Sequence, residues 1–289
     1  DLNERTGRLE GSFNYRGFYP SITLAASRGS RASRYLDTSR VLRDFGWKET
    51  RFSVLVEQPL NLTTGKYLSA ITPGVEAKRI IVTHDETTPR FYFEGAQNIF
   101  QTSLFFYRQL KRSARDLRPK WGQVVDVNLG STFLNYTFSR SFLNVTTILL
   151  APGILKHHSS RLSLGYEKLP QGKYNNYSAL LYPRGYIRQV NSELRKLSFD
   201  YKFPLLYPDL RLGPIVYLQR VKANIFLDYA IGTYLDEVKN YNSMGFELTN
   251  DLHLLNFPVP LDIGFRYIFM PSVSMSKLEL ILSVKFGEL

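Results

Sequence analysis

Leu278-Glu279-Leu280-Ile281-Leu282-Ser283-Val284-Lys285-Phe286 alternates apolar and polar side chains with the period of an extended strand. Leu278, Leu280, Leu282, Val284 and Phe286 share one face, and Glu279, Ser283 and Lys285 share the other, with Ile281 among them. The period recurs upstream. Phe52, Val54 and Val56 oppose Arg51, Ser53 and Glu57, and Leu197, Phe199 and Tyr201 oppose Lys196, Ser198 and Asp200. Ile225, Leu227 and Tyr229 oppose Lys222, Asn224 and Asp228. A soluble sheet buries its apolar face in one core. Alternation over nearly the whole chain suits a sheet with lipid on one side and a wet bore on the other. The expectation is an all-β fold, an antiparallel transmembrane β-barrel of about 14–16 strands with long outer loops and mostly short periplasmic turns.

Composition agrees. No apolar run approaches the roughly 18 residues of a membrane helix, so a helical membrane protein is excluded. Aromatic residues make up 14%, with 19 Tyr and 20 Phe, and Tyr suits headgroup girdles because its ring is apolar and its hydroxyl polar. An aromatic-rich soluble β-sandwich would share this composition. There is no Cys, which removes disulfides, thiolate catalysis and Cys-based zinc sites. The net charge of +12 is spread over connections, in Arg28, Arg31, Arg34, Arg40, Arg43 and Lys48, and again in Lys111, Arg112, Arg115, Arg118 and Lys120. Loops at a phosphate-rich membrane surface account for it. No aromatic-basic recognition motif is present, so nucleic acid is not an expected partner.

Alternation marks thirteen strands. Bacterial single-chain barrels have even numbers, so a strand missed within residues 66–110 is expected. Residues 31–47 break the pattern and read as a loop or short helix. No linker, low-complexity tract or repeat divides the chain, so residues 1–289 read as one barrel domain, with any soluble domain lying upstream of this numbering. Counting connections back from a last strand that ends in the periplasm places residues 168–191 outside and the rather long stretch 204–216 in the periplasm. Outer-membrane lipid and lipopolysaccharide follow as surroundings, in the outer membrane of a Gram-negative cell.

Chemistry-bearing motifs are sparse. His157-His158 has no carboxylate at metal-ligand spacing and reads as a solvated loop. No Gly-x-Ser-x-Gly, phosphate loop or acid–base pair appears, so no catalytic residue, metal or cofactor is expected, and the chain does not read as an enzyme.

One constellation stands out. Tyr182-Pro183-Arg184-Gly185-Tyr186 lies in the long connection, Leu197–Leu205 forms a strand ending in Phe203-Pro204, and Phe226-Leu227-Asp228 follows in the next. The last strand carries the terminal signal of Leu282, Val284 and Phe286. This order resembles the bacterial surface-antigen superfamily, which includes the barrel-assembly protein and the two-partner-secretion translocators. The resemblance covers about residues 180–289 and is nearest in style to Bacteroidota relatives. It implies a sixteen-strand barrel whose sixth outer loop folds into the bore with an Arg-Gly-aromatic tip. Arg184, Gly185 and Tyr186 match that tip, and Phe226 and Asp228 match the wall motif it meets; Pro183 stands where Val or Ile is usual. Asp228 is on the polar face of its strand, and a guanidinium can bond such a carboxylate bidentately. Gly185 permits a tight approach or a positive φ. The function implied is insertion or translocation of outer-membrane or secreted proteins, with client or partner proteins; the alternative is a passive pore or a structural anchor for a soluble domain.

Overall fold

The computed structural model of the chain describes residues 7–17, 19–36, 42–113, 116–134, 137–169, 180–187, 191–213, 215–234, 237–254 and 261–284. These residues form a single antiparallel sheet of fifteen strands. The strands are β1 (Arg8–Tyr15), β2 (Ser21–Leu36), β3 (Leu42–Glu57), β4 (Leu60–Asn61), β5 (Tyr67–His84), β6 (Gly95–Leu110), β7 (Gly122–Leu134) and β8 (Thr137–Pro152). They continue with β9 (Ser159–Lys168), β10 (Glu193–Leu206), β11 (Leu210–Leu212), β12 (Val216–Tyr234), β13 (Glu237–Leu254), β14 (Leu261–Met270) and β15 (Met275–Val284). A three-residue 3-10 turn, Pro271–Val273, joins the last two. No helix among the described residues is long and apolar enough to cross a membrane.

Two of the fifteen are continuations. β4 pairs with β5 just beyond the point where β3 leaves it, and β11 does the same on β12 after β10. Pro59 and Pro208 fall in the two breaks, where a ring without an N–H interrupts the ladder. The long 204–216 connection is therefore mostly strand. Thirteen strands remain as a meander in chain order, with β1 and β15 at its two ends and unpaired with each other among the described residues. Residues 66–110 hold two of them, β5 and β6, and no third.

Residues 31–47 are a correction. Residues 31–36 belong to β2 and 42–47 to β3, with Arg31 opposite Trp47 and Ser30 opposite Lys48, while 37–41 lie outside the described residues. Charge here lies on the inward face and hides the alternation. Buried Glu49 accepts bonds from Arg31 (3.1 Å), from Arg51 (2.5 Å) and from Trp47 Nε1 (2.6 Å). Trp47 in turn packs with Phe45, Ile80 and Val82 under Tyr92 and Phe93 of the β5–β6 connection.

The two faces of the sheet are opposite in character. On β12, Arg220, Lys222, Asn224, Phe226 and Asp228 are buried, while Ile225, Leu227 and Tyr229 are exposed. Phe246 on β13, Phe265 and Phe269 on β14, and Leu278, Leu280 and Leu282 on β15 continue the exposed apolar face. The sheet curls around its polar face. Arg8 and Glu10 of β1 line a crevice of about 290 Å3 together with Phe142 of β8, although five strands separate β1 from β8 along the sheet.

The inward face is held by ions. Asp251 and Asp262 stand directly opposite each other on β13 and β14, a repulsive arrangement on its own. Lys222, fully buried, bonds both, with Nζ 2.5 Å from Asp262 Oδ1, and Arg220 bonds Asp251. Removing Lys222 leaves two facing carboxylates without their shared cation. Lys222→Ala is expected to cost about 3–5 kcal/mol, read as a lowered midpoint in a denaturant titration of the purified chain. A midpoint within error of the parent would contradict this.

Candidate functional site

The site is a row of side chains across five strands. Asp200 on β10 faces Phe226 on β12, Phe226 faces Gly245 on β13, Gly245 faces Ile268 on β14, and Ile268 faces Lys277 on β15. The period of two turns all five to the inward face. The segment 180–187 lies along this row.

Arg184 sits over its first two members. Its Nη2 is 2.7 Å from Asp200 Oδ1, and its guanidinium carbon is 4.1 Å from the centre of the Phe226 ring. The ring face adds a cation–π attraction to the ion pair. Asp228 accepts the backbone N–H of Arg184 at 3.0 Å, whereas its carboxylate is 3.8 Å from Arg184 Nε. Glu247 is also 3.8 Å from that nitrogen. The expected bidentate bond to Asp228 is thus corrected. The carboxylate that meets the guanidinium closely is Asp200, because Phe226 opposite it sets the depth of the side chain, while Asp228 holds the chain trace.

Gly185 has φ 85°, in the left-handed region. A Cβ there would lie 2.8 Å from Met270 Sδ and 3.1 Å from Ile268 Cγ2. Gly185 therefore provides both the turn and the close approach. Gly245 makes room from below, since a Cβ on it would fall 2.9 Å from Phe226 Cζ. Lys277 donates to the Gly185 carbonyl at 2.6 Å, tying the tip to the edge strand β15. Tyr186 donates to the Asn242 carbonyl at 3.0 Å and meets the Tyr241 ring edge-on at 5.3 Å. Upstream, the Leu180 N–H donates to Glu167 at 3.2 Å, and buried Leu180 packs with Leu194, Ala230 and Tyr241.

A second polar row lies beside the first. Asn224 donates to Asp200 at 2.9 Å and to Glu247 at 3.1 Å. Arg266 joins Glu247 at 2.7 Å to Glu279 of β15 at 3.3 Å. The carboxylates beneath Arg184 are thus themselves held in place.

The structure brings Arg184, Gly185, Tyr186, Phe226 and Asp228 together as one cluster. Of the terminal-strand residues, Leu282 is on the exposed face of β15 and Val284 pairs with Leu261, while Phe286 lies outside the described residues. Sequence reasoning missed Asp200, Glu247 and Lys277 as partners of the tip. Each sits at a polar position of an alternating strand, so period marked the face, but strand register had no sequence signal. It also missed Arg118, a half-buried side chain of the β6–β7 connection that interacts electrostatically with Asp200, Glu247 and Arg184.

The His157-His158 reading is corrected. His157 Nδ1 is 2.8 Å from buried Asp116, and His158 bonds the Tyr201 hydroxyl at 2.9 Å and stacks on Phe203. The pair clips the β8–β9 turn to its neighbours.

No protein-family model matches the chain, and no curated protein matches it in sequence.

The close Asp200 contact and the looser Asp228 one predict unequal substitutions. Asp200→Asn removes the charge beneath the guanidinium and is expected to loosen the tip by about 1–3 kcal/mol. Asp228→Asn keeps an oxygen for the Arg184 amide and is expected to do less. Gly185→Ala is expected to displace the tip at a strain of about 1–3 kcal/mol. Limited proteolysis within 180–187 reads all three; faster cleavage in Asp228→Asn than in Asp200→Asn would contradict this account.

Proposed function

We propose that this sheet is a transmembrane β-barrel of the bacterial surface-antigen type in the outer membrane, taking part in the insertion or translocation of proteins there. The observation that carries the proposal is the seating of Arg184-Gly185-Tyr186 on the inward wall, against Asp200, Phe226 and Asp228. An isolated Arg-Gly-Tyr is a commonplace tripeptide. One whose arginine is half-buried against the wall residues that the resemblance singles out is much less so. The long exposed apolar face supports lipid as its surroundings, because soluble monomers rarely expose a continuous apolar surface of this extent.

In this proposal the exposed face meets acyl chains and the ionic face lines the bore. The connection bearing Arg184 opens to the outside, and the opposite end of the sheet opens to the periplasm. Thirteen strands in an antiparallel meander leave β1 and β15 running in the same direction. Closure then takes a parallel seam between them or an odd number of further antiparallel strands, which is compatible with totals of 14 or 16. Client proteins are the expected partners, and the chemistry is mechanical, with no cofactor in any step. The tip latch holds the wall from β10 to β15, so its contribution is to set the geometry of that wall.

Reconstitution tests the proposal. The full chain in lipid vesicles is expected to accelerate insertion of an unfolded outer-membrane barrel added from denaturant. Arg184→Ala should lose that acceleration while its own strands stay formed by circular dichroism. Steady ion conductance with no acceleration would assign the chain to a passive pore or membrane anchor instead.

A further inference from the structure

The two ends of the sheet differ sharply in charge. Strand direction sorts the connections into two sets. One set, the turn end, holds the described residues 16–17, 19–20, 58–66, 111–113, 116–121, 153–158, 207–213 and 215; the other, the loop end, includes 85–94, 180–187 and 191–192. Among the described residues, the turn-end connections carry eight Lys and Arg against two Asp, whereas the loop-end connections carry Arg90 and Arg184 against Asp85, Glu86 and Glu94. Of the two turn-end carboxylates, Asp116 is buried against His157, and Asp209 accepts the Tyr217 hydroxyl at 2.9 Å. Lys111, Arg112, Lys120, Lys156 and Arg211 are exposed.

The same end exposes apolar side chains beyond the last turns of the ladder. Ile154 is 90% exposed, and Leu155, Trp121, Leu206 and Tyr207 are exposed beside it. Their placement is fixed, not incidental. The Ile154 N–H donates to the Tyr201 hydroxyl at 3.1 Å, and His158 stacks on Phe203, so the β8–β9 turn is clipped to β10 beside two rings. Trp121 accepts the Leu110 N–H through its carbonyl at 2.9 Å, which extends the β6–β7 ladder to the rim. Apolar and aromatic side chains mixed with exposed cations are the chemistry of a membrane interface, where rings sit at headgroup level and cations meet phosphate.

We propose that the turn end seats on an anionic phospholipid leaflet. Trp121, Ile154 and Leu155 enter the headgroup and upper acyl region, and Lys111, Arg112, Lys120 and Lys156 bind headgroup phosphates. The inference rests on the membrane reading above and adds to it a lipid class and a face. The loop end, whose described connections carry more acidic than basic residues, has no such preference.

The absence of native Cys allows single labels on the full chain. One preparation carries a fluorophore at Leu155→Cys, and a second carries it at Leu227→Cys on the exposed face of β12. Each is reconstituted in phosphatidylcholine bilayers containing phosphatidylglycerol, with a headgroup spin label on one lipid or the other. The Leu155 label is expected to be quenched more strongly by spin-labelled phosphatidylglycerol than by spin-labelled phosphatidylcholine. Combined Lys111→Gln, Arg112→Gln, Lys120→Gln and Lys156→Gln should cut that preference by at least about tenfold. In the chain without those four changes, added salt should erase it as well, which keeps the test open if the fourfold variant does not fold.

Quenching of the Leu227 label by acyl-chain spin labels, with none at Leu155, would leave the membrane reading standing and overturn this one; a protein partner at the rim would give that result. Quenching at neither position would overturn both. Equal quenching by the two lipids, indifference to salt, or stronger quenching by spin-labelled lipid A than by phosphatidylglycerol would each overturn the assignment to an anionic phospholipid leaflet.

Discussion

A guanidinium half-withdrawn from water is held only where its charge is met, and Arg184 is met from several strands at once. Asp200 of β10 takes the close ion pair, Phe226 of β12 offers its ring face, and Glu247 of β13 lies at longer range. Because these groups belong to different strands, the arginine is satisfied only when the strands hold their register. The tip and the wall therefore specify each other. Asn224 and Arg266 extend the constraint sideways to Glu279, and Lys277 returns it to the Gly185 carbonyl, so the fixed region runs to the edge strand β15.

The same logic organises the rest of the inward face. Lys222 between Asp251 and Asp262, and Glu49 among Arg31, Arg51 and Trp47, repeat the pattern of a charge held by partners from neighbouring strands. Such networks are weak contributors to net stability but costly to break, so they select one register over its competitors. The exposed apolar face supplies no comparable choice of partner. Its contribution to stability depends on what covers it, which makes the surrounding medium part of the fold's energetics.

Period-two alternation made the strands legible, including the polarity of β10, β12, β14 and β15, because the outward face of each is consistently apolar. It failed at residues 31–47, where Phe45 and Trp47 share the inward face with Arg31 and where Ala32 and Gly46 add little contrast on the other. It also suggested a strand too many in 66–110. β5 and β6 are long, at 18 and 16 residues, and long strands near Pro73 and Gly74 look interrupted in sequence. Within the site, the tip tripeptide and Phe226 with Asp228 were visible as motifs, and the structure joins them. Asp200 was not, because choosing between two inward carboxylates requires the β10–β12 register, and that is set by tertiary pairing, not by local sequence.

The central claim is that one face of this sheet meets lipid and the other a polar bore. Spin labels placed one at a time along β14 of the bilayer-reconstituted chain, comparing collisions with dissolved oxygen and with a water-soluble nickel complex, test it most directly. Oxygen contact should peak at positions 263, 265, 267 and 269, and nickel contact should be higher at positions 264 and 266, with 268 shielded beneath the Gly185 tip. Uniform nickel accessibility along the strand, or a chain that stays monomeric in buffer without detergent, would contradict the claim.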